Sequence, residues 1–288
     1  MENNRSIYTP HLMEVVAVFQ ETPDVKRVRI KFRDPEDAKQ YRLNVGQFGL
    51  YSVFGVGEST FNICCSNSKD YIEFCFRNTG RVTERMWDVE PGDTIGFRGP
   101  FGNSYPMKEW EGKNLVFVAG GIAMPPIRCA IQYALENRDK YGKIVIVYGA
   151  KTIADLVGKS EYDEWAACPD VDLTVTVDPG GENDEWGKTP KKYAETIGFV
   201  PTVLGDVLKR LNLPADNSAA LVVGPPIMIK FSLPVLEEAQ FTWDNIVSSL
   251  ENRMKCGLGK CGRCNCGSVY VCKEGPVFTY TQIKQMPD

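Results

Sequence analysis

Val116-Phe-Val-Ala-Gly120-Gly121-Ile122-Ala123-Met-Pro125-Pro126 is an apolar run that stops at two glycines and feeds a helix-like stretch from Pro125 to Asn137. A strand that is apolar at successive positions is buried on both faces, the habit of a parallel sheet covered by helices. The glycines and the helix start aim backbone N–H groups at the strand's C-terminal edge, where such a sheet binds phosphate. The spacing is not G-x-G-x-x-G, and tight strand–helix packing explains adjacent glycines equally well. The segments that follow support the sheet: Ile144–Tyr148, a helix around Ser160–Ala167, Asp172–Val177, a helix around Val200–Leu211, then Ala220–Val223. Strand and helix alternate, which predicts an open parallel α/β sheet. Two more strands end in glycine turns, Tyr148-Gly149-Ala150 and Val223-Gly224-Pro225-Pro226-Ile-Met228. Three such turns at one sheet edge predict a nucleotide crevice.

Upstream, residues 11–105 read as β structure. Arg27–Phe32 alternates basic and apolar residues, the pattern of a half-buried strand. Gly49–Phe54, Phe61–Cys65, Tyr71–Phe76 and Thr94–Arg98 are similar short runs, punctuated by Asp34-Pro35, Gly55, Gly57 and Pro91-Gly92-Asp93. That spacing predicts a small antiparallel barrel. Gly80-Arg81-Val82-Thr83 opens a short helix, Val82–Trp87; it is either a plain cap or a pyrophosphate seat to which Arg81 adds charge. Gly99-Pro-Phe-Gly102 reads as the turn that ends the barrel.

The 288 residues are 43% hydrophobic and 24% charged with a net charge of −4, a globular composition sufficient for about two domains. That balance leaves no footprint for nucleic acid. No apolar run approaches the roughly 20 residues of a membrane span, and the N-terminus lacks a signal-peptide core, so a soluble, cytoplasmic chain is expected. Ten cysteines stand against one histidine, His11, which reads as a strand lead-in and makes histidine-based catalysis a poor reading. Cys64, Cys65, Cys75, Cys129 and Cys168 are scattered. Cys256, Cys261, Cys264, Cys266 and Cys272 fall together near the end, where reduced thiols bind metal more often than they form disulfides.

Cys256-x4-Cys261-x2-Cys264-x7-Cys272 carries the spacing of a plant-type [2Fe–2S] site in its first three ligands. Gly257, Gly259 and Gly262 suit a loop that brings N–H groups to sulfide at positive φ. The alternative is a zinc knuckle, whose usual form has two C-x2-C pairs where this chain has one. Cys266 has no assigned role. Glu251 reads as a helix-surface charge in preference to a group near a cofactor.

Taken together, the barrel with Gly80-Arg-Val-Thr83 and Gly99-Pro-Phe-Gly102, then Gly-Gly-Ile-x-x-x-Pro, then Gly-Pro-Pro-Ile-Met, resembles the ferredoxin–NADP reductase superfamily. The tail from Ser249 to Phe278 is similar to the flavin and [2Fe–2S] electron-transfer subunits of multi-subunit enzymes: the sulfhydrogenase gamma, anaerobic sulfite reductase and dihydroorotate dehydrogenase electron-transfer types. The resemblance implies three units, an FAD-binding β-barrel (1–110), an NAD(P)-binding α/β domain (111–235) and a [2Fe–2S] module (236–288). It implies FAD at Ser59, Phe61, Asn62, Ile63, Cys64 and at Gly80, Arg81, Val82 and Thr83. It places NAD(H), with NADP(H) as the other choice, at Gly120, Gly121, Ile122, Ala123, Gly149, Gly224, Pro225 and Met228. The cluster falls to Cys256, Cys261, Cys264 and Cys272. Ser59 stands where relatives carry arginine and Asn62 where they carry serine; Phe61 still offers a ring face to isoalloxazine. Ala150-Lys151-Thr152 has no arginine for a 2′-phosphate, which favours NAD(H).

The resulting expectation is an NAD(P)H-dependent oxidoreductase subunit with no acid–base triad. It would exchange electrons with a partner from a hydrogenase, sulfite reductase or heterodisulfide-reductase-like complex. The alternatives are a flavin-free structural or regulatory subunit and a zinc-stabilised binding module.

Overall fold

The computed structural model describes residues 6–181 and 196–287. Its first half contains β1 (His11–Thr22), β2 (Val25–Phe32), α1 (Pro35–Gln40), β3 (Phe48–Val53), β4 (Gly57–Asn62), β5 (Ile72–Arg77), α2 (Arg81–Trp87) and β6 (Thr94–Phe101). The strands pair antiparallel in the order β4-β3-β6-β1-β2-β5. A bridge from Ile63 to Phe74 joins the two edges and closes the barrel. Inward residues fill it with rings: Tyr51 lies 3.9 Å from Phe74 and 5.3 Å from Phe97.

Two local readings change. Asp34-Pro35 starts a helix, since the Asp34 side chain accepts the Glu36 N–H at 2.9 Å and proline fits the first turn. Gly99-Pro-Phe lies within β6 rather than in a turn. The chain bends at Gly102 (φ +76°), where a Cβ would lie 2.6 Å from the Gly275 carbonyl oxygen.

The second half contains β7 (Asn114–Gly120), α3 (Met124–Glu136), β8 (Ile144–Ala150), α4 (Tyr162–Ala167), β9 (Val171–Val177), β10 (Thr196–Ile197), α5 (Val200–Leu211), β11 (Ser218–Val223), α6 (Pro226–Glu238) and β12 (Ile246–Ser249). The tail adds β13 (Asn265–Cys266), β14 (Val269–Tyr270), α7 (Val271–Glu274), β15 (Val277–Thr279) and α8 (Tyr280–Ile283). One seven-stranded sheet runs β10-β9-β8-β7-β11-β12-β15, parallel except for β15. Leu115 and Phe117 pack with Ile127 and Ile131 of α3 on one face, while Val116 and Val118 pack with Val203 and Leu204 of α5 on the other. This double cover is why β7 is apolar throughout. The strand order reverses between β7 and β11, the point where open α/β sheets bind ligands.

The tail is less separate than its sequence suggests. The boundary expected at 235/236 falls inside α6, and β12 and β15 extend the sheet. The tail also packs on the barrel, with Cys264, Cys272 and Phe278 buried against Phe48 and Leu50 of β3.

Candidate functional site

The three glycine turns converge. A cleft of about 950 Å³ at the switch point is lined by Gly120–Ala123, Gly149, Gly224, Pro225 and Met228. The glycines differ in what they do. A Cβ on Gly120 would meet Met228 Sδ at 2.4 Å, and one on Gly149 would meet Val200 at 2.3 Å, so both permit close packing. Gly121 has φ +58° and open space beside it, so it is the one that leaves room for a ligand. Gly121→Val puts a side chain into that space, and the apparent affinity for nicotinamide dinucleotide should fall at least about tenfold; inhibition and titration with the dinucleotide check it.

Sequence reading misses other walls of the cleft. Arg77, at the end of β5, reaches it from the barrel, and Glu251 lines it from the loop after β12 rather than from a helix surface. Lys151, Asp155 and Asp178 stand beyond the ends of β8 and β9. Burial raises the Asp178 carboxyl above its usual range against the opposing pull of Lys151.

The segment expected to meet flavin begins on β4, an edge strand paired with β3 alone, and continues beyond it through Ile63, which bridges to Phe74, and Cys64. Phe61 is half-buried and stacked 5.7 Å from Phe74, with one side of the strand still open. Ser59 and Asn62 are likewise half-buried, whereas Ile63 and Cys64 are buried, with their N–H groups donating to Gln47 O at 3.1 Å and Glu73 O at 2.8 Å. In the Gly80–Thr83 turn the Thr83 hydroxyl accepts the N–H groups of Thr79 and Gly80 at 3.0 and 2.9 Å. Thr83 and Gly80 therefore act locally as a cap, while Val82 packs on the barrel core and the exposed Arg81 has no ion pair among the described residues. An open strand edge, a half-buried ring and a nearby cation fit a flavin.

The cysteine loop places its thiols in two pairs, Cys256 with Cys261 and Cys264 with Cys272. Cys256 Sγ accepts the N–H groups of Leu258 and Lys260 at 3.4 and 3.3 Å; Cys272 Sγ accepts that of Gly259 at 3.1 Å. Gly257, Gly259 and Gly262 take φ near +70° (72°, 69° and 73°), which is what turns those N–H groups inward. Against the upward push of burial, the N–H groups of Leu258, Cys261 and Lys260 bring the Cys256 thiol down to about 6. Burial, followed by the neighbouring Cys264, pushes Cys272 up to about 12. Among the described residues no three His, Cys, Asp or Glu side chains are grouped as a single ion requires. N–H donors aimed at the Cys256 and Cys272 sulfurs suit thiolates that carry charge, as the ligands of an iron–sulfur cluster do. Cys266 lies outside both pairs, on the β13–β14 hairpin.

The barrel and the nucleotide domain meet through a buried ionic network that the sequence conceals. Alternation puts Arg27 among the polar residues of a half-exposed strand, but it is buried because the nucleotide domain covers that face. It donates to Glu21 at 2.7 Å and to Glu73 at 2.8 Å; Arg29 and Arg128 also donate to Glu73, at 3.0 and 2.7 Å. Arg128 also pairs with Glu161. Burial pushes the Glu73 carboxyl up, but the guanidinium groups of Arg128 and Arg27 outweigh it and hold the group below its ordinary value.

Comparison with known proteins agrees with this geometry. Residues 251–284 match the family model of the iron–sulfur cluster binding domain of dihydroorotate dehydrogenase B, and residues 117–233 that of the oxidoreductase NAD-binding domain. Sulfhydrogenase 1 subunit gamma of Pyrococcus furiosus is 35% identical across 100% of this chain and 96% of its own length. The probable dihydroorotate dehydrogenase B (NAD+) electron transfer subunit of Pyrococcus abyssi is 34% identical over 83% of this chain and 80% of its own. Among solved structures, the NADH-dependent reduced ferredoxin–NADP oxidoreductase described for flavin-based electron bifurcation superposes with a TM-score of 0.71 at 23% identity, covering 100% of this chain and 91% of that one. A ferredoxin–NADP+ reductase from Neisseria gonorrhoeae with bound FAD and NADP gives 0.66 at 16% identity, over 82% and 96%. These two likenesses establish the fold.

Proposed function

We propose, for a chain that belongs to the family of sulfhydrogenase gamma and dihydroorotate dehydrogenase B electron transfer subunits, that it carries electrons between NAD(P)(H) and a partner subunit within a multi-subunit oxidoreductase. FAD and a [2Fe–2S] cluster are its cofactors. Three units divide the work: a flavin barrel, a nucleotide domain whose sheet runs on through β12 and β15, and a cluster-bearing tail sewn onto both.

The observation that carries this reading is the adjacency of the three sites. Arg77 of the barrel shares a cleft with Gly120 and Gly121, while the Thr60 hydroxyl on the flavin strand donates to the Met254 carbonyl at 3.5 Å, two residues before Cys256. FAD held beside Phe61 would supply hydride exchange with a nicotinamide, and a cluster held by Cys256, Cys261, Cys264 and Cys272 would supply one-electron exchange, so that a two-electron carrier could serve one-electron traffic. The chain's own residues supply position. Phe61 offers a ring face, Gly121 admits the dinucleotide backbone, and the N–H groups of Leu258, Gly259 and Lys260 steady thiolate charge. Hydride transfer needs no imidazole, and His11 is paired with Asp37 at 2.6 Å at the start of β1.

Asp155 and Asp178 outnumber Lys151 at the cleft's edge, which favours NAD(H) over a 2′-phosphate. Asp178→Asn should raise the relative use of NADPH about fivefold, the equivalent of roughly 1 kcal/mol for one charge pair in water; the ratio of kcat/KM for the two dinucleotides checks it. No helix among the described residues is long and apolar enough to cross a membrane, and a cytoplasmic site of action is part of the proposal.

The direct test is anaerobic purification followed by a visible spectrum with iron and sulfide analysis. Flavin bands bleached by NADH, with about two irons per chain, support the reading. A chain with no flavin would instead be a structural subunit, and zinc without sulfide would make it a zinc module.

A further inference from the structure

Helix α3 starts at the dinucleotide turn and runs along the barrel. Three of its residues, Arg128, Gln132 and Glu136, recur at every fourth position and so lie on one face. Each engages the segment that continues the flavin strand. The Arg128 guanidinium donates to the Cys64 carbonyl at 2.7 Å and to the Glu73 carboxylate at 2.7 Å. The Gln132 side-chain oxygen accepts the Ser66 N–H at 3.2 Å. Glu136 accepts the Ser66 hydroxyl, accepts the Ser68 hydroxyl at 2.9 Å and pairs with Lys69 at 2.6 Å. A separate contact points the same way: the Gly158 N–H donates to Glu21 at 2.9 Å.

We propose that this stripe is a clasp that sets the nicotinamide against the flavin, with Arg128 as its principal positioning residue. The proposal rests on the two-cofactor reading above. One end of α3 is fixed to the glycine turn that admits the dinucleotide; one face is fixed to the chain immediately after Phe61–Cys64. Arg128 is 4% exposed and Glu73 fully buried, so neither can exchange its partner for water without separating the domains. The distance between the two cofactor sites is thereby held by side chains that belong to neither site's residues. An ångström of misplacement costs on the order of 100-fold in a transfer that depends on a near-attack distance.

The experiment compares Arg128→Met, Arg128→Lys, Gln132→Ala and Glu136→Gln in the loaded protein by stopped-flow reduction with NADH. The limiting rate of flavin bleaching should fall about tenfold or more in Arg128→Met. Flavin content and the dissociation constant for NADH should stay within about twofold, with partial recovery in Arg128→Lys. Hydrogen exchange on flavin-free protein supplies a second readout: residues 64–73 and 124–136 should lose protection together in the Gln132 and Glu136 variants. If Arg128→Met does not fold, those two rim variants carry the test through the same limiting rate. A wild-type limiting rate in every folded variant, or loss of protection in only one of the two segments, overturns the clasp. Wild-type protein that binds no flavin, or whose flavin NADH does not bleach, overturns the underlying reading instead.

Discussion

Cys264→Ala should yield a chain that still takes electrons from NADH into its flavin but has lost its iron. Cys264 is 1% exposed, packed between the barrel's Phe48 and Leu50 and the start of α7, and paired with Cys272, whose N–H it accepts at 3.5 Å. Removing it leaves one pair with a single thiol. Losses of 10–100-fold are usual for groups that only orient a ligand, so losing a ligand should reduce cluster retention by at least about 100-fold. Iron and sulfide per chain, and the paramagnetic signal of the reduced protein, measure this directly. NADH-driven bleaching of the flavin should persist, because the cleft and β4 lie outside the thiol pairs. Cys266→Ala is the control and should keep its iron. A full complement of iron in the Cys264 variant would remove that residue from the ligand set.

The largest effect on stability is expected at Glu73. Its carboxylate receives Arg27, Arg29 and Arg128, and Glu73→Ala leaves guanidinium groups facing one another inside the domain junction. Breaking one side of a buried ion pair costs about 3–5 kcal/mol, a large share of the stability of an ordinary domain. Denaturant midpoints of loaded wild type and variant measure it, and a loss below about 1 kcal/mol would mean that water already screens the site. The sign with pH follows from the depressed carboxyl. Its contribution is complete above the ordinary carboxylate range and is lost as pH falls through the lower folded value. Glu73→Gln should therefore flatten the wild type's acid limb below about pH 4 while lowering stability at neutral pH.

These two residues mark how far the sequence can be read. Cys264 is legible because ligand spacing is local: five thiols and four glycines within 17 residues write their chemistry along the chain. The parallel sheet is legible for a related reason, since β7 is apolar at successive positions only because helices cover both faces. Glu73 and Arg128 are not legible. Each looks like an ordinary charge in an amphipathic strand or helix, and its partner lies 55 residues away in another domain. Arg27 misleads on the same ground, because a polar face covered by a second domain has the same period as one facing water. Glu251 belongs with them: its neighbours suggest a helix, while its place at the cleft depends on β12 joining the sheet. Helix α6 is hidden by the Gly224-Pro225-Pro226 turn that starts it and by Pro234 within it.

The tail strands carry one more consequence. β11 is flanked on one side by β7 and on the other by β12, which is capped by the three-residue antiparallel β15. A chain cut or terminated before Ile246 would keep every glycine of the cleft but expose the whole free margin of β11, apolar from Ala219 to Val223. Such a margin is a template for another chain's backbone. The tail that carries the clustered cysteines thus also serves as a selvedge, and its loss would be felt first as aggregation.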